Sequence, residues 1–397
     1  MRAPLRAAAI VSALAGAAVM IALSQPAGAA SSVTGATHRS VRACATAATG
    51  EALCHALVRT DLAPLAKAGP NATPSGYGPT QLRSAYNLTS SGSSSQTIAI
   101  VDAYNDPTAE ADLGVYRAQF GLSACTTANG CFRKVNQSGG TSYPRTNGGW
   151  AQEISLDLDM VSAICPNCHI LLVEARSASF TNLGAAENTA ATLGATVISN
   201  SWGGSDASDA TYGGFFNHPG IAITASTGDS GYGAQYPATS HYVTAVGGTH
   251  LVTGGSGRGW TETAWSGAGS GCSSFNAPLS GAAGFNTGCA NRAEADVSAV
   301  ADPNTGVAVY DSTSNQGLSG WLVFGGTSVA APLIAGVFGL AGNASSIDNN
   351  YPYAHAGSLN DVTSGSNGTC PTSQWCTART GWDGPTGLGT PNGTGAF

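Results

Sequence analysis

The sequence predicts an α/β protein in which one large domain is built on a mostly parallel sheet with helices on both faces. Three observations lead there. From Gly78 onward, apolar strand-like runs alternate with runs of helical spacing, and strands separated by helices pair in parallel under cover on both faces. The strand runs are continuously apolar, as in Thr97-Ile98-Ala99-Ile100-Val101-Asp102, which marks strands buried on both sides. No segment recurs at a period of about 20–50 residues, so a solenoid is excluded. With 397 residues, 42% of them apolar, the chain has material for a sizeable core.

In order, strands are expected at 97–102, 169–173, 197–201, 221–225, 242–246 and 307–310, with another ending near Phe324. Helices are expected at 153–163, 185–193 and 328–340. Residues 30–76 are rich in Ala and Thr and show no clear strand pattern; Pro64, Gly69-Pro70, Pro74 and Gly76 punctuate their end. They read as a short propeptide and linker ahead of a main domain at 77–397. Residues 1–29 read as a secretory signal peptide. Arg2 and Arg6 form the positive flank, 7–23 the apolar run, and Ala27-Gly28-Ala29 the small-residue cleavage site. Those flanks disfavour an uncleaved membrane helix, and no later apolar run reaches about 18 residues uninterrupted. The expected location is extracellular.

Ten cysteines suit an exported chain. They fall into five sequence-local pairs: Cys44/Cys54, Cys125/Cys131, Cys165/Cys168, Cys272/Cys289 and Cys370/Cys376. Proximity suggests five small-loop disulfides. Cys165-Pro166-Asn167-Cys168 could alternatively be a redox dithiol or half a zinc site, but no second CxxC or HxxxH lies nearby. Only 9% of residues are charged, against about 25% in an average globular chain. Fifteen basic and 22 acidic residues give a net charge of −7, which excludes nucleic acid as an obvious partner. Sparse charge also suits an acid medium, where fewer ion pairs are lost on protonation.

The chemistry begins at Gly325-Gly326-Thr327-Ser328-Val329-Ala330-Ala331-Pro332, where a strand passes through two glycines into an apolar helix. A Ser at a helix N-terminus sits beside unpaired N–H groups that favour a neighbouring oxyanion; it could equally be an N-cap. None of the seven histidines sits in a His-Gly-Thr-like segment that begins a helix, so a base must come from elsewhere. Glu153-Ile154-Ser155-Leu156-Asp157 offers two carboxyls one helical turn apart. Adjacent like charges resist joint ionisation, so the pair holds one proton and titrates as a unit. The bland reading is a solvated acidic face; Asp159 lies off that face. Ser226-Thr227-Gly228-Asp229-Ser230-Gly231 follows a strand, where open α/β sheets place their sites. An Asp kept neutral there could donate a hydrogen bond to an oxyanion. Its resemblance to a trypsin-like nucleophile segment fails, because the chain has no Ala-Ala-His-Cys-like partner and is not all-β.

The Glu-x-x-x-Asp helix, the Gly-Asp-Ser-Gly loop and the Gly-Thr-Ser-x-x-Ala-Pro segment, in this order and without a triad His, resemble the sedolisins, or serine-carboxyl peptidases. The resemblance covers about 77–397 and implies a subtilisin-like fold and acid endopeptidase activity. It implies Ser328 as nucleophile, Glu153 as general base, Asp157 as the orienting acid and Asp229 as oxyanion donor. Ser201, Trp202 and Gly203 resemble the family's substrate-binding edge, where backbone groups would pair with an extended peptide. Trp202 would wall a subsite or pack as a surface aromatic. Asp102, at the end of the first core strand, stands where the family often has a further network acid; it could also be a turn or cap acid. Asp361-Val362-Thr363 and Gly381-Trp382-Asp383 resemble the two halves of the family's single Ca²⁺ site. Asp361 and Asp383 would give carboxylates, and Val362, Arg379 and Gly381 carbonyls. Arg379 departs from the small residue usual there. A second departure is the N-terminal segment, fewer than fifty residues after the signal peptide, where the family carries a much longer folded propeptide.

The implied partners are protein and peptide substrates, met by a monomer free of the membrane after signal cleavage. Two other readings stay open: a non-catalytic peptide-binding relative, and a Gly/Ser/Thr-rich cell-surface structural protein.

Overall fold

A computed structural model gives the fold; it describes residues 1, 38–44, 47, 50–64 and 73–397. The expected signal peptide lies outside the described residues, apart from Met1. His38–Phe397 form one compact unit.

Along the chain come β1 (Ser40–Arg42), β2 (Leu53–Cys54), β3 (Leu57–Arg59), α1 (Pro79–Ala85), β4 (Thr97–Ala103), α2 (Ala109–Gln119), β5 (Phe132–Asn136), α3 (Gly148–Ile164), β6 (His169–Ala175) and α4 (Phe180–Thr192). Then follow β7 (Val197–Asn200), β8 (Trp202–Ser205), α5 (Asp209–Tyr212), β9 (Ala222–Ser226), β10 (Gln235–Tyr236), β11 (Thr244–Thr253) and β12 (Trp260–Ala264). The sheet-and-helix part closes with β13 (Gly271–Cys272), β14 (Ala293–Glu294), β15 (Val297–Val300), β16 (Val307–Asn315), β17 (Leu318–Gly325) and α6 (Thr327–Ala341).

The central sheet runs β12-β11-β9-β7-β4-β6-β5, with β15 also on β11. All its pairs are parallel except β11–β12. Register places helices on both faces. Ile98 faces α6, because a Cβ built on Gly339 would lie 2.7 Å from its Cδ1. The two-residue strand period puts Ile100 and Asp102 on that same face. Ile100 pairs with Ser199, so Asn200 points to the opposite face, where its amide donates to Glu187 of α4 at 3.3 Å.

Two helices, α3 and α6, are buried around nearly their whole circumference. Every residue from Gly149 to Ile164 of α3 is buried, and α6 is buried from Thr327 to Gly339. With no exposed face on α3, Glu153 and Asp157 enter the interior with their neighbours and form no solvated face. Asn147 caps α3 by accepting from the Gly149 and Trp150 amides, which starts the helix five residues before the expected 153.

All ten cysteines form the five local disulfides that proximity suggested. Cys165 and Cys168 are paired with each other, which leaves neither thiol for zinc. The described part of 30–76 departs from the expected patternless linker. β3 pairs with β1 and β17, and β2 adds to the edge of β8. Among the described residues, no helix is long and apolar enough to cross a membrane.

Candidate active site

The site lies at the C-terminal ends of β4, β7 and β9, as the topology of an open parallel sheet dictates. Three carboxyls meet there with no exposed surface: Asp102 from β4, and Glu153 and Asp157 from α3. Burial pushes all three pKa values well above the usual carboxylate range. For Glu153 the neighbouring Asp157 and Asp102 add to the rise; for Asp102, Asp157 and Glu174 do. Neither oxygen of Asp102 nor of Glu153 has a hydrogen-bond partner. Asp102 is thus neither a turn acid nor a cap; it is a strand residue facing the pair.

Ser328 opens α6 beside this cluster. Its hydroxyl is near enough to favour an ionised Glu153, although in this rotamer it donates to the Ser201 carbonyl at 3.0 Å. Asp157 connects to Ser328 through Ser201, not directly. The Ser201 hydroxyl lies 2.7 Å from Asp157 Oδ1 and 3.4 Å from the Ser328 carbonyl. That carbonyl needs a partner because the residue four positions on is Pro332, which has no N–H to close the helical bond.

Asp229 sits across from the carboxyl cluster at the N-terminus of α6. Its Oδ1 accepts from the Thr327 amide and hydroxyl at 2.8 and 2.9 Å, while Oδ2 has no partner. Burial lifts its pKa to about 7, against the Thr327 bonds and the Arg42 charge. A carboxyl protonated below neutrality therefore presents a free oxygen at a helix N-terminus.

The backbone of Ser201, Trp202 and Gly203 forms an edge that is paired here with the chain's own residues: Leu53 lies opposite Gly203, Cys54 opposite Trp202, and the His55 amide donates to the Ser201 carbonyl at 3.1 Å. The Trp202 side chain does not wall a subsite. It is fully buried, donates to the Val101 carbonyl at 2.8 Å and packs on Phe180 and Phe216. Strand alternation turns the indole inward while leaving the main chain at the rim. Sequence reasoning missed Ser226, Gln235 and His55, which meet beside this edge. His55 lies 171 residues from Ser226 and 180 from Gln235, and a two-residue strand such as β2, which precedes it, has no period to read.

The C-terminal loop suits a hard cation. Asp361 Oδ2 accepts from the Gly381 amide at 3.0 Å and Asp383 Oδ2 from the Arg379 amide at 3.1 Å. Burial, with Asp361 adding, raises Asp383 to about 7. The Arg379 guanidinium turns away to Gln374 at 2.9 Å, so only its main chain belongs to the loop and its bulk does no harm. Two carboxylates drawn together without a neutralising side chain, flanked by the carbonyl-bearing positions Val362, Arg379 and Gly381, match the oxygen chemistry of Ca²⁺.

Carboxyls buried in a protonatable state make stability depend on pH. Besides the site cluster, burial raises Glu187 and Asp311 to about 8 and Glu174 to about 7. Each is raised above its unfolded value, so its contribution is complete below about pH 4 and is lost as pH climbs through 7–8. His55, lowered to about 3, runs the other way but is outnumbered. Urea midpoints are expected to fall from pH 4 to pH 8; a rise over that interval would overturn the assignment of buried neutral acids.

Comparison with known proteins agrees with this geometry. Residues 134–386 match the subtilase family. Kumamolisin of Bacillus sp. (strain MN-32) is 29% identical over 368 residues, covering 81% of this chain and 63% of that protein. Sedolisin of Pseudomonas sp. (strain 101) is 32% identical over 178 residues, 40% of this chain and 29% of that protein. The chain thus spans less than two thirds of the length of these relatives. The solved structure of Pseudomonas sedolisin, a serine-carboxyl proteinase complexed with two molecules of pseudo-iodotyrostatin, superposes with a TM-score of 0.65 at 26% identity. That match covers 81% of this chain and 96% of the sedolisin chain. The chain belongs to the subtilase family and, within its subtilisin-like fold, to the sedolisins.

Proposed function

We propose that the protein is an exported endopeptidase that works in acid. The observation that carries this reading is Ser328, at the start of a buried helix, set against a cluster of buried carboxyls in place of an imidazole. A peptide lies along the Ser201-Trp202-Gly203 edge as a strand, in the place that Leu53 and Cys54 of β2 take in this structure. Glu153, ionised while the neighbouring acids hold their protons, takes the Ser328 proton as Oγ attacks the peptide carbonyl. Asp157 steadies the Ser201 hydroxyl, and through it the Ser328 main chain; Asp102 limits the charge that the cluster can hold. The developing oxyanion is met by the Ser328 amide and the protonated Asp229. Glu153 then protonates the leaving amine, and water resolves the acyl-enzyme by the reverse transfers.

Calcium held by Asp361, Asp383 and the carbonyls of Val362, Arg379 and Gly381 would supply structural cross-linking and no step of the reaction. The Arg2/Arg6 flank, the apolar run and five disulfides support export.

Hydrolysis of casein at pH 4 by the processed protein is expected, with Ser328→Ala about 10⁶-fold slower; equal rates would remove the nucleophile. Asp229→Ala should cost about 10²–10³-fold in kcat. Asp229→Asn keeps an N–H donor but cannot titrate, so the alkaline limb near pH 7 should move upward; an unmoved limb would take Asp229 out of the oxyanion role. Chelation by EDTA should lower stability by about 3 kcal/mol where free Ca²⁺ had stood about 100-fold above its Kd, and an unchanged melting temperature would refute the calcium loop.

A further inference from the structure

A second group of acids is buried away from Ser328 and from the C-terminal loop. Asp106 stands between β4 and α2, Asp112 lies on α2 and Asp311 on β16. Asp106 and Asp311 have no exposed surface, and Asp112 has 3%. One carboxyl oxygen from each lies within 4.8 Å of those of the other two. Asp159 of α3, buried as well, adds charge of the same sign near Asp112 and Asp311.

Neutral donors serve only part of this group. Asp106 Oδ1 accepts from the Thr108 amide at 2.9 Å, Asp112 Oδ2 from the Ser312 amide at 2.8 Å and Asp311 Oδ1 from the Thr313 amide at 3.0 Å. The Thr108 hydroxyl lies 2.6 Å from Asp112 Oδ2, 3.1 Å from Asp106 Oδ1 and 2.9 Å from the Thr313 hydroxyl. It has a single proton to give, so one of those two carboxyls faces its lone pairs. The Ser155 hydroxyl of α3 stands 3.3 Å from Asp106 Oδ2 and faces Asp311 too. Asp311 Oδ2 is left with no partner at all, in a side chain closed off from water.

The nearby basic side chains are spent elsewhere. Lys134 has three N–H donors and directs them to Asn105 Oδ1 at 2.7 Å, the Asp106 main-chain carbonyl and Glu174 Oε1 at 2.9 Å. Arg117 serves the Ser123 and Pro166 carbonyls and the Ser162 hydroxyl. Among the described residues, no ion pair includes Asp106, Asp112 or Asp311. Desolvated carboxyls in this position must keep protons or take up a cation.

We propose that Asp106, Asp112 and Asp311 hold a Ca²⁺ ion, at a site separate from the C-terminal loop. Ca²⁺ takes oxygens at about 2.3–2.6 Å, so oxygens of one shell stand up to about 5 Å apart, and the three carboxyls meet that span. The Thr108 and Thr313 hydroxyls supply further oxygen beside them. The donor set is oxygen alone, with no imidazole or thiolate to favour zinc. Mg²⁺ demands a tighter octahedron and keeps its waters, which suits buried carboxyls less. Pro107 and Ser312 are exposed beside the acids, so an ion reaches them from the surface. The ion would tie the β4–α2 loop, α2 and β16 together. Ser155, between Glu153 and Asp157 in sequence, brings α3 to the same point.

Equilibrium dialysis of the full chain against radiolabelled Ca²⁺ at pH 7.5 tests this. Wild type should bind two ions, Asp361→Asn one, and Asp361→Asn with Asp311→Asn none. EDTA should still lower the melting temperature of Asp361→Asn. Asp311→Asn keeps the acceptor for the Thr313 amide and the side-chain volume. If it does not fold, wild-type crystals grown with Tb³⁺ in place of Ca²⁺ decide, and should show an anomalous peak among the three carboxyls. An ion count that Asp311→Asn leaves unchanged, an Asp361→Asn protein that binds none, or a Tb³⁺ peak at the C-terminal loop alone overturns this site and spares the loop. Wild type that binds no Ca²⁺ overturns both.

Discussion

Desolvation of carboxyl groups is the constraint on which the rest of the molecule turns. An isolated carboxylate is costly in an apolar interior, and a second beside it more so, so such groups keep protons instead. Here α3 is buried on every side and carries Glu153 and Asp157 into the core, where Asp102 of β4 joins them. With three acids and, among the described residues, no cation acting on them, the cluster holds protons at a pH where free carboxyls have lost theirs. The part an imidazole plays in a serine triad, holding and returning one proton, is thereby available from oxygen acids alone, over a lower pH range.

The surrounding backbone serves that cluster. Pro332 withholds a helical N–H from the Ser328 carbonyl, and Ser201 lies within reach of it while bonding Asp157. A helix irregularity thus links Asp157 to the main chain of Ser328. Gly326, at positive φ, leaves room for the His55 carbonyl: a Cβ there would stand 2.0 Å from that oxygen and 2.8 Å from Asp229 Oδ2. The edge of β8 pairs with β2 while its one large side chain, Trp202, is spent on core packing.

Much of this was legible from residue order because long buried elements write themselves as continuous apolar runs. β4, β6, α3 and α6 all fall where the pattern puts them, and they carry Asp102, Glu153, Asp157 and Ser328 of the site. Element ends were less legible. β11 runs on to Thr253, seven residues past the expected end at 246; its Gly247 lets another stretch of chain pass close, a Cβ there falling 2.2 Å from the Pro385 carbonyl. α4 begins at Phe180 because Ser179 caps it, a signal weaker than the apolar run from 185. β1, β2 and β3 are two or three residues each; their strand state comes from partners far along the chain, and nothing local could announce it. The inward turn of Trp202 and the meeting of His55 with Ser226 and Gln235 are likewise products of tertiary pairing.

The shared proton can be observed directly. Carboxyl ¹³C shifts of Ser328→Ala, assigned with Glu153→Gln and Asp157→Asn, report the ionisation of each acid across pH 3–8. At least one of Glu153 and Asp157 should remain protonated well above the pH of a free carboxyl, and replacing either should lower the titration point of the other. Two independent titrations near pH 4 would mean that no proton is held between these acids, and the serine would be left without its base in the proposed form.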